Sequence, residues 1–224
     1  MHLTRLELNP ARRGARELLA SPHRLHGAVV KAFPAAHRDP TTAGRVLWRL
    51  DSGTHQTLLY IVSPHLPDLT HVVEVAGWPT TSSWASRPYT PLLDRLAVGQ
   101  QWAFRLTANP TRSSRKPDAD SAAAPAEKSR RRGHVTAAQQ TTWLLDRRDQ
   151  HGFSITETID KELDVAVQSR HTWRFTRDSH TVTLATATFG GRLEITDVDA
   201  FRRALTHGIG PAKGYGCGLL TLAR

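Results

Sequence analysis

One cysteine in 224 residues, Cys217, excludes an internal disulfide and any cysteine-built zinc site. It stands beside the last apolar run and reads as a small packing residue. No apolar stretch approaches the roughly 20 residues that span a bilayer. The first residues, Met1–Leu8, carry neither a long apolar core nor a cleavage site. The expectation is a soluble, cytoplasmic protein with no membrane partner. Acidic side chains are scarce, 20 against 30 basic ones, which leaves a formal net charge of +10. That excess favours an anionic partner such as nucleic acid, although some proteins are simply basic.

What is present is enough for a core without staples, divided into two small domains or one medium one. Residues 3–8 alternate, with Thr4, Leu6 and Leu8 on one face, and form a half-buried strand that Asn9-Pro10 breaks. Ser21-Pro22 opens a helix whose stripe is Leu25, Ala28, Val29, Ala32 and Phe33; Pro34 ends it. Strands follow at 45–51 and 57–63, a short helix runs from Asp68 to about Ala76, and a weak strand covers 83–89. The order strand, helix, strand, strand, helix, strand is the ferredoxin-like one.

The same order returns. A strand at 101–108 precedes a helix at 136–148, strand-like runs at 153–156, 165–176, 180–189 and 192–195, a helix from Asp197 to His207, and a last strand at 219–222. The fold class expected is α+β, two tandem ferredoxin-like βαββαβ domains, 1–95 and 96–224. Residues 111–134 stand apart as a basic insertion rich in Arg, Ser, Ala and Pro. It reads either as a solvated loop or as an arm that orders on nucleic acid.

Glycine is concentrated at the end of the chain, in Gly208-Ile209-Gly210-Pro211-Ala212-Lys213-Gly214-Tyr215-Gly216-Cys217-Gly218. Such a loop lets bare backbone approach a large anion. It is not a Walker A loop, because Lys213 is followed by Gly and the segment leads into a strand. Gly208, Gly210, Lys213, Gly214 and Gly216 are therefore candidate polyanion contacts. Arg202 and Arg203 precede the loop and add to its positive field.

Chemistry is offered by His23 and His26 on the first long helix. At about 100° per residue, His26 falls at the edge of the apolar stripe and His23 lies about 60° further toward solvent. A histidine at a groove edge exchanges protons at neutral pH, and nearby cations bias it to the neutral form. The bland reading, a surface or satisfied core histidine, also fits. Spacing i,i+3 would suit a two-histidine metal site, but no acid or third histidine stands near in sequence, so no metal or other cofactor is expected. Paired His-x-Thr motifs at His55 and His134 occur at chance frequency among 12 histidines. Arg24 and Lys31 form the outer face of the same helix. On the 165–176 strand Arg170 and Arg174 share a face that either grips phosphates or is merely solvated, and Trp173 and Phe175 on the other face read as core.

The start Leu3-Thr4-Arg5-Leu6-Glu7-Leu8-Asn9-Pro10, the helix Pro22-His23-Arg24-Leu25-His26 and the end Gly208–Leu220 together resemble the CasE family. These are the CRISPR repeat-processing endoribonucleases of type I-E systems. Trp48-Arg49-Leu50 and Phe104-Arg105-Leu106-Thr107-Ala108-Asn109-Pro110 are also similar to the family's strands. The resemblance implies a CRISPR repeat stem-loop as substrate, metal-independent cleavage, and retention on the product hairpin as a subunit of the Cascade complex. It puts the catalytic histidine at His26 and a tyrosine where this chain has His23. It places the family's glycine loop at Gly208–Gly218 with Lys213 in it; Lys31, Arg24, Arg170, Arg174 and Arg202, read from their own positions, are the further candidate RNA contacts. Metal-free cleavage needs a proton acceptor at the 2′-hydroxyl, a donor at the leaving 5′-oxygen and positive charge at the phosphate. A non-catalytic RNA hairpin-binding protein on the same scaffold is the competing expectation.

Overall fold

The structure, a computed structural model, describes residues 1–78, 84–113, 131–177 and 179–223. Most of the basic insertion, including Arg115, Lys116 and Arg130, lies outside the described residues, as does Ser83 of the weak strand.

Strand β1 (His2–Leu8) buries Thr4, Leu6 and Leu8, as its alternation requires. It pairs antiparallel with β3 (Thr57–Ser63) and with the edge strand β4 (Trp84–Pro88), and β3 pairs with β2 (Leu47–Ser52). The order β2-β3-β1-β4 is the ferredoxin-like one. The crossover between β1 and β2 holds two helices, α1 (Arg13–Leu19) and α2 (Pro22–Lys31), where one was expected. A third, α3 (Thr70–Ala76), joins β3 to β4. These helices cover one face of the sheet and close a core of Leu6, Leu8, Leu25, Val29, Phe33, Trp48, Leu59 and Ile61.

A short α4 (Thr90–Asp94) leads to the second sheet. Its order is β11-β5-β10, with β5 (Gln101–Ala108), β10 (His180–Ile195) and β11 (Leu220–Ala223); β8 (Phe153–Ile155) and β9 (Val165–Arg177) share the outer edge of β10. Between β5 and β8 come a short pair, β6 (Thr111–Ser113) with β7 (Arg131–Gly133), and α5 (Ala137–Leu145). Thr136 and Gln139 close a capping box at the start of α5. Helix α6 (Val198–His207) is capped by Asp197 and stopped by Gly208.

Gly190-Gly191, expected to separate two strands, instead lies inside one continuous β10. A Cβ on Gly191 would stand within overlap of the Asp164 carbonyl, and the register against β9 shifts between Thr188 and Phe189. The glycines thus mark a close strand approach rather than a turn. From there β9 and β10 continue as a long hairpin toward α2.

The two halves are joined along β2. Leu47 belongs to the second core and Trp48 to the first. Arg49 is 2% exposed: it grips Asp51 through Nε and Nη2 (2.7 and 2.8 Å) and donates through Nη1 to the carbonyls of Arg105 and Leu219 (2.7 and 3.2 Å). No described helix is long and apolar enough to cross a membrane.

Candidate functional site

Pro22 at the first turn and the Leu25/Val29 stripe fix the roll of α2, which turns His23 and His26 toward the far end of the β9–β10 hairpin. His26 is half-buried and lies against Gly214: a Cβ on that glycine would stand 3.4 Å from Cε1 and 3.6 Å from Nε2 of the imidazole. Its ring meets Tyr215 edge-on at 6.1 Å. His23 is exposed and stacks on Phe175 of β9 with centroids 6.3 Å apart. Phe175 in turn touches Tyr215 at 5.0 Å, and Arg177 Nη1 donates to the Tyr215 hydroxyl at 3.1 Å. The helix, the hairpin tip and the glycine loop therefore converge on two imidazoles.

A cavity of about 60 Å³ beside His26 is lined by Phe33, Arg38, Arg45, Trp48 and Gly214. Beyond Trp48 opens a cleft of about 400 Å³ between the two halves, bordered by His171, Trp173, Arg105, Tyr215 and Gly216. The charge around His26 is positive. Burial lowers its pKa first, and His23, Arg177 and Arg45 lower it further, so the neutral ring is favoured. Half-burial also lowers Lys213, with Arg45 as the second cause, and burial with Lys213 and Arg147 lowers His151. Among the described residues, no group of three or more His, Cys, Asp or Glu is placed to hold a metal ion.

The other expected contacts divide. Lys213 sits in the loop between Arg45 and His151, half-buried. Gly210 and Gly214 keep some surface, but Gly208 and Gly216 are buried. They face Leu47 and Trp48, so their missing Cβ serves internal packing rather than an approaching anion. Arg24 and Lys31 are exposed on the opposite side of α2, along a groove with Glu17 and His71, and do not join His26. Arg170 is exposed at the cleft and donates to the Val135 carbonyl at 3.2 Å; Arg174 is exposed on the hairpin. Arg202 is turned away, bonded to the Leu93 carbonyl at 2.9 Å and to Asp199 at 3.4 Å. The aromatic face of β9 is core only at Phe175; Trp173 and His171 border the cleft.

Sequence reasoning missed Arg45, Arg177 and the pairing of Phe175 with Tyr215. Arg45 carries no local signal beyond the preceding Gly44. The other contacts need the register of a hairpin that reaches across to another half of the molecule.

All 224 residues match the family model described as CRISPR associated protein. The chain is 29% identical over 230 residues to the CRISPR-associated endoribonuclease Cse3 of Thermus thermophilus, with all of both chains covered. It is 28% identical over 183 residues to the CRISPR system Cascade subunit CasE of Escherichia coli, covering 79% of this chain and 88% of that one. Thermus thermophilus Cse3 bound to an RNA representing a pre-cleavage complex superposes with a TM-score of 0.79 at 29% identity, over 100% of this chain and 98% of that one. On the full-length match the chain belongs to the CRISPR associated protein family, and it is of the CasE kind that its two end motifs resemble.

Proposed function

We propose that this chain is an endoribonuclease that cleaves the stem-loop of CRISPR repeat RNA without a metal ion. It then remains on the mature hairpin as a Cascade subunit in the cytoplasm. The names of its relatives, an endoribonuclease and a Cascade subunit, and the RNA complex of Cse3 support the substrate class and the partners. The observation that carries the chemistry is one half-sheltered imidazole, His26, lying on the glycine loop within a ring of cations.

In this reading the neutral His26 accepts the proton of the 2′-hydroxyl as that oxygen attacks phosphorus. The bond to the 5′-oxygen breaks, His23 supplies the proton the leaving oxygen needs, and Lys213 and the half-exposed amides of the loop hold the backbone. The products are a 2′,3′-cyclic phosphate and a 5′-hydroxyl. Arg170 and Arg174 meet the stem, which is read by shape and 2′-hydroxyls more than by base edges.

The test is single-turnover cleavage of an end-labelled repeat hairpin in excess chelator. His26→Ala is expected to slow cleavage by about 10²–10⁴-fold while hairpin affinity survives. A 2′-deoxynucleotide before the scissile phosphate is expected to abolish cleavage. Undiminished cleavage by the variant removes His26 from the reaction, and arrest by chelator replaces the mechanism with a metal-dependent one. Binding without any cleavage leaves the hairpin-binding alternative.

A further inference from the structure

Arg45 shares a cavity with His26 and acts electrostatically on both His26 and Lys213, and no sequence pattern marks it. Gly44 before it is buried with φ +151°, and a Cβ there would stand 2.9 Å from the Thr206 carbonyl oxygen. The chain can therefore pass directly against the end of α6, where the Arg45 N–H donates to that same carbonyl at 3.1 Å. From this fixed backbone the Arg45 side chain enters the cavity that holds His26 and Gly214.

The contrast with Arg49 is informative. Arg49, more deeply buried than the half-buried Arg45, is fully used: one carboxylate holds it in two places and two carbonyls take its remaining reach. Arg45 has a buried Nε with no hydrogen-bond partner, and among the described residues no carboxylate pairs with it. The charged and titratable groups around it are Arg38 and His26 in the same cavity and the half-buried Lys213. A buried donor without an acceptor is unfavourable, and two cations held together without an acid are more so. The arrangement is relieved by an anion that arrives from outside. A planar guanidinium with parallel N–H donors suits a phosphodiester better than an ammonium would.

We infer that Arg45 grips a non-bridging oxygen of the phosphate that is cut and stabilises the charge that gathers there during the reaction. This rests on the reading of the chain as an RNA-cleaving enzyme. Arg45 neither gives nor takes a proton: the 2′-oxygen to phosphorus bond forms, the bond to the 5′-oxygen breaks, and the guanidinium meets the phosphoryl oxygen throughout.

The experiment compares wild type, Arg45→Ala, Arg45→Lys and His26→Ala in single-turnover cleavage of the repeat hairpin, with hairpin affinity and melting temperature measured in parallel. Arg45→Ala is expected to slow cleavage by about 100- to 1,000-fold, and Arg45→Lys is expected to recover part of the loss. A stereospecific phosphorothioate at the scissile phosphate supplies the readout that a packing role would not move. One diastereomer is expected to slow the wild type, and that penalty is expected to vanish in Arg45→Ala because the contact is already gone. Arg45→Met replaces the alanine variant should the latter fail to fold. Cleavage by the variants within about threefold of wild type, or a full phosphorothioate penalty persisting in them, overturns the role of Arg45 alone. Wild type that leaves the hairpin intact, or His26→Ala that cleaves normally, overturns the underlying reading and this inference with it.

Discussion

Gly216 is where the glycine loop presses hardest on the wall of the cleft. Its φ is +78°, and a Cβ there would stand 2.6, 2.9 and 3.0 Å from three atoms of the Trp48 ring. Trp48 is 3% exposed and packed into the first core, so it has little freedom to swing away. Gly216→Ala therefore meets two separate costs. An L-residue in the left-handed region costs about 1–2 kcal/mol. Forcing a methyl into the ring costs about 1–3 kcal/mol more. The sum, roughly 2–5 kcal/mol, corresponds to a melting temperature lower by roughly 5–15 °C for a chain of this size. The loop can relieve the overlap only by backing away from Trp48, which carries Gly214 off His26, so cleavage falls as well. Gly214→Ala is the matched control: its Cβ would make ordinary contact with His26, at 3.4 Å, and its expected cost is within about 0.5 kcal/mol. The two costs separate in a Trp48→Phe background. The two nearest clashing atoms, Cζ3 and Cη2, lie farther out than any carbon of a phenyl ring, so there Gly216→Ala keeps the backbone share and loses part of the steric one. Thermal unfolding of the five proteins followed by circular dichroism decides. A Gly216→Ala chain melting within about 2 °C of its parent, or an equal cost in both backgrounds, refutes the steric argument.

Arg49→Met removes the clamp on Asp51 and the two bonds to the second half, leaving a 16% exposed carboxylate whose one remaining ion pair among the described residues is with Arg105, at 3.9 Å. The expected loss is about 3–5 kcal/mol in urea unfolding, and a loss below about 1 kcal/mol would show the pair to be dispensable. His26 is expected to titrate below 6.5 by NMR of its Cε1 proton, because burial, His23, Arg177 and Arg45 all disfavour the imidazolium. The folded chain then binds that proton less readily than the unfolded one, so the stability contributed at this site is complete above the ordinary pKa of 6.5 and is lost as pH falls through the folded value. Arg45→Ala moves the titration upward; a wild-type titration at or above 6.5 contradicts the placement of the ring.

Most elements were legible because their local signals are clean: the alternation of residues 3–8, the Leu25/Val29 stripe, the start of α6 at Asp197. Helix α1 was not, and its residues explain why. Arg12 gives it no side-chain cap, it buries only Ala15, and it contains Gly14. That glycine is demanded by tertiary structure, since a Cβ there would overlap the Val75 carbonyl of α3. The position of His26 followed from arithmetic on one helix. The same arithmetic puts Arg24 and Lys31 about 140–160° away, which is where they are, far from the ring. What helical angles could not supply was the company of that ring. Phe175, Arg177, Tyr215 and Arg45 come from three other segments, joined to it only by the reach of the β9–β10 hairpin and the closeness of Gly44 to α6. The glycines misled in part for a related reason: composition shows that backbone is bare at Gly208 and Gly216, and only the fold shows that Leu47 and Trp48 occupy the space.

The burial of three consecutive residues at the start of β2 ties these observations together. A ferredoxin-like sheet covers one face with helices and leaves the other open, so an edge strand such as β2 should alternate buried and exposed positions. It does not: Leu47, Trp48 and Arg49 are all buried. Trp48 fills the core under α2, while Leu47 enters the second core and Arg49 bonds to β5 and to the backbone before β11. One strand thereby fixes two halves that each contribute part of the site, α2 from the first and the glycine loop from the second. Proton transfer and charge stabilisation both demand placement to within about 0.5 Å, which two freely swinging units could not keep. A charged side chain sealed in the seam is costly on its own account. It is retained here because the carbonyls it satisfies belong to the other half. The bonds that make Arg49 tolerable therefore also hold His26 against Gly214.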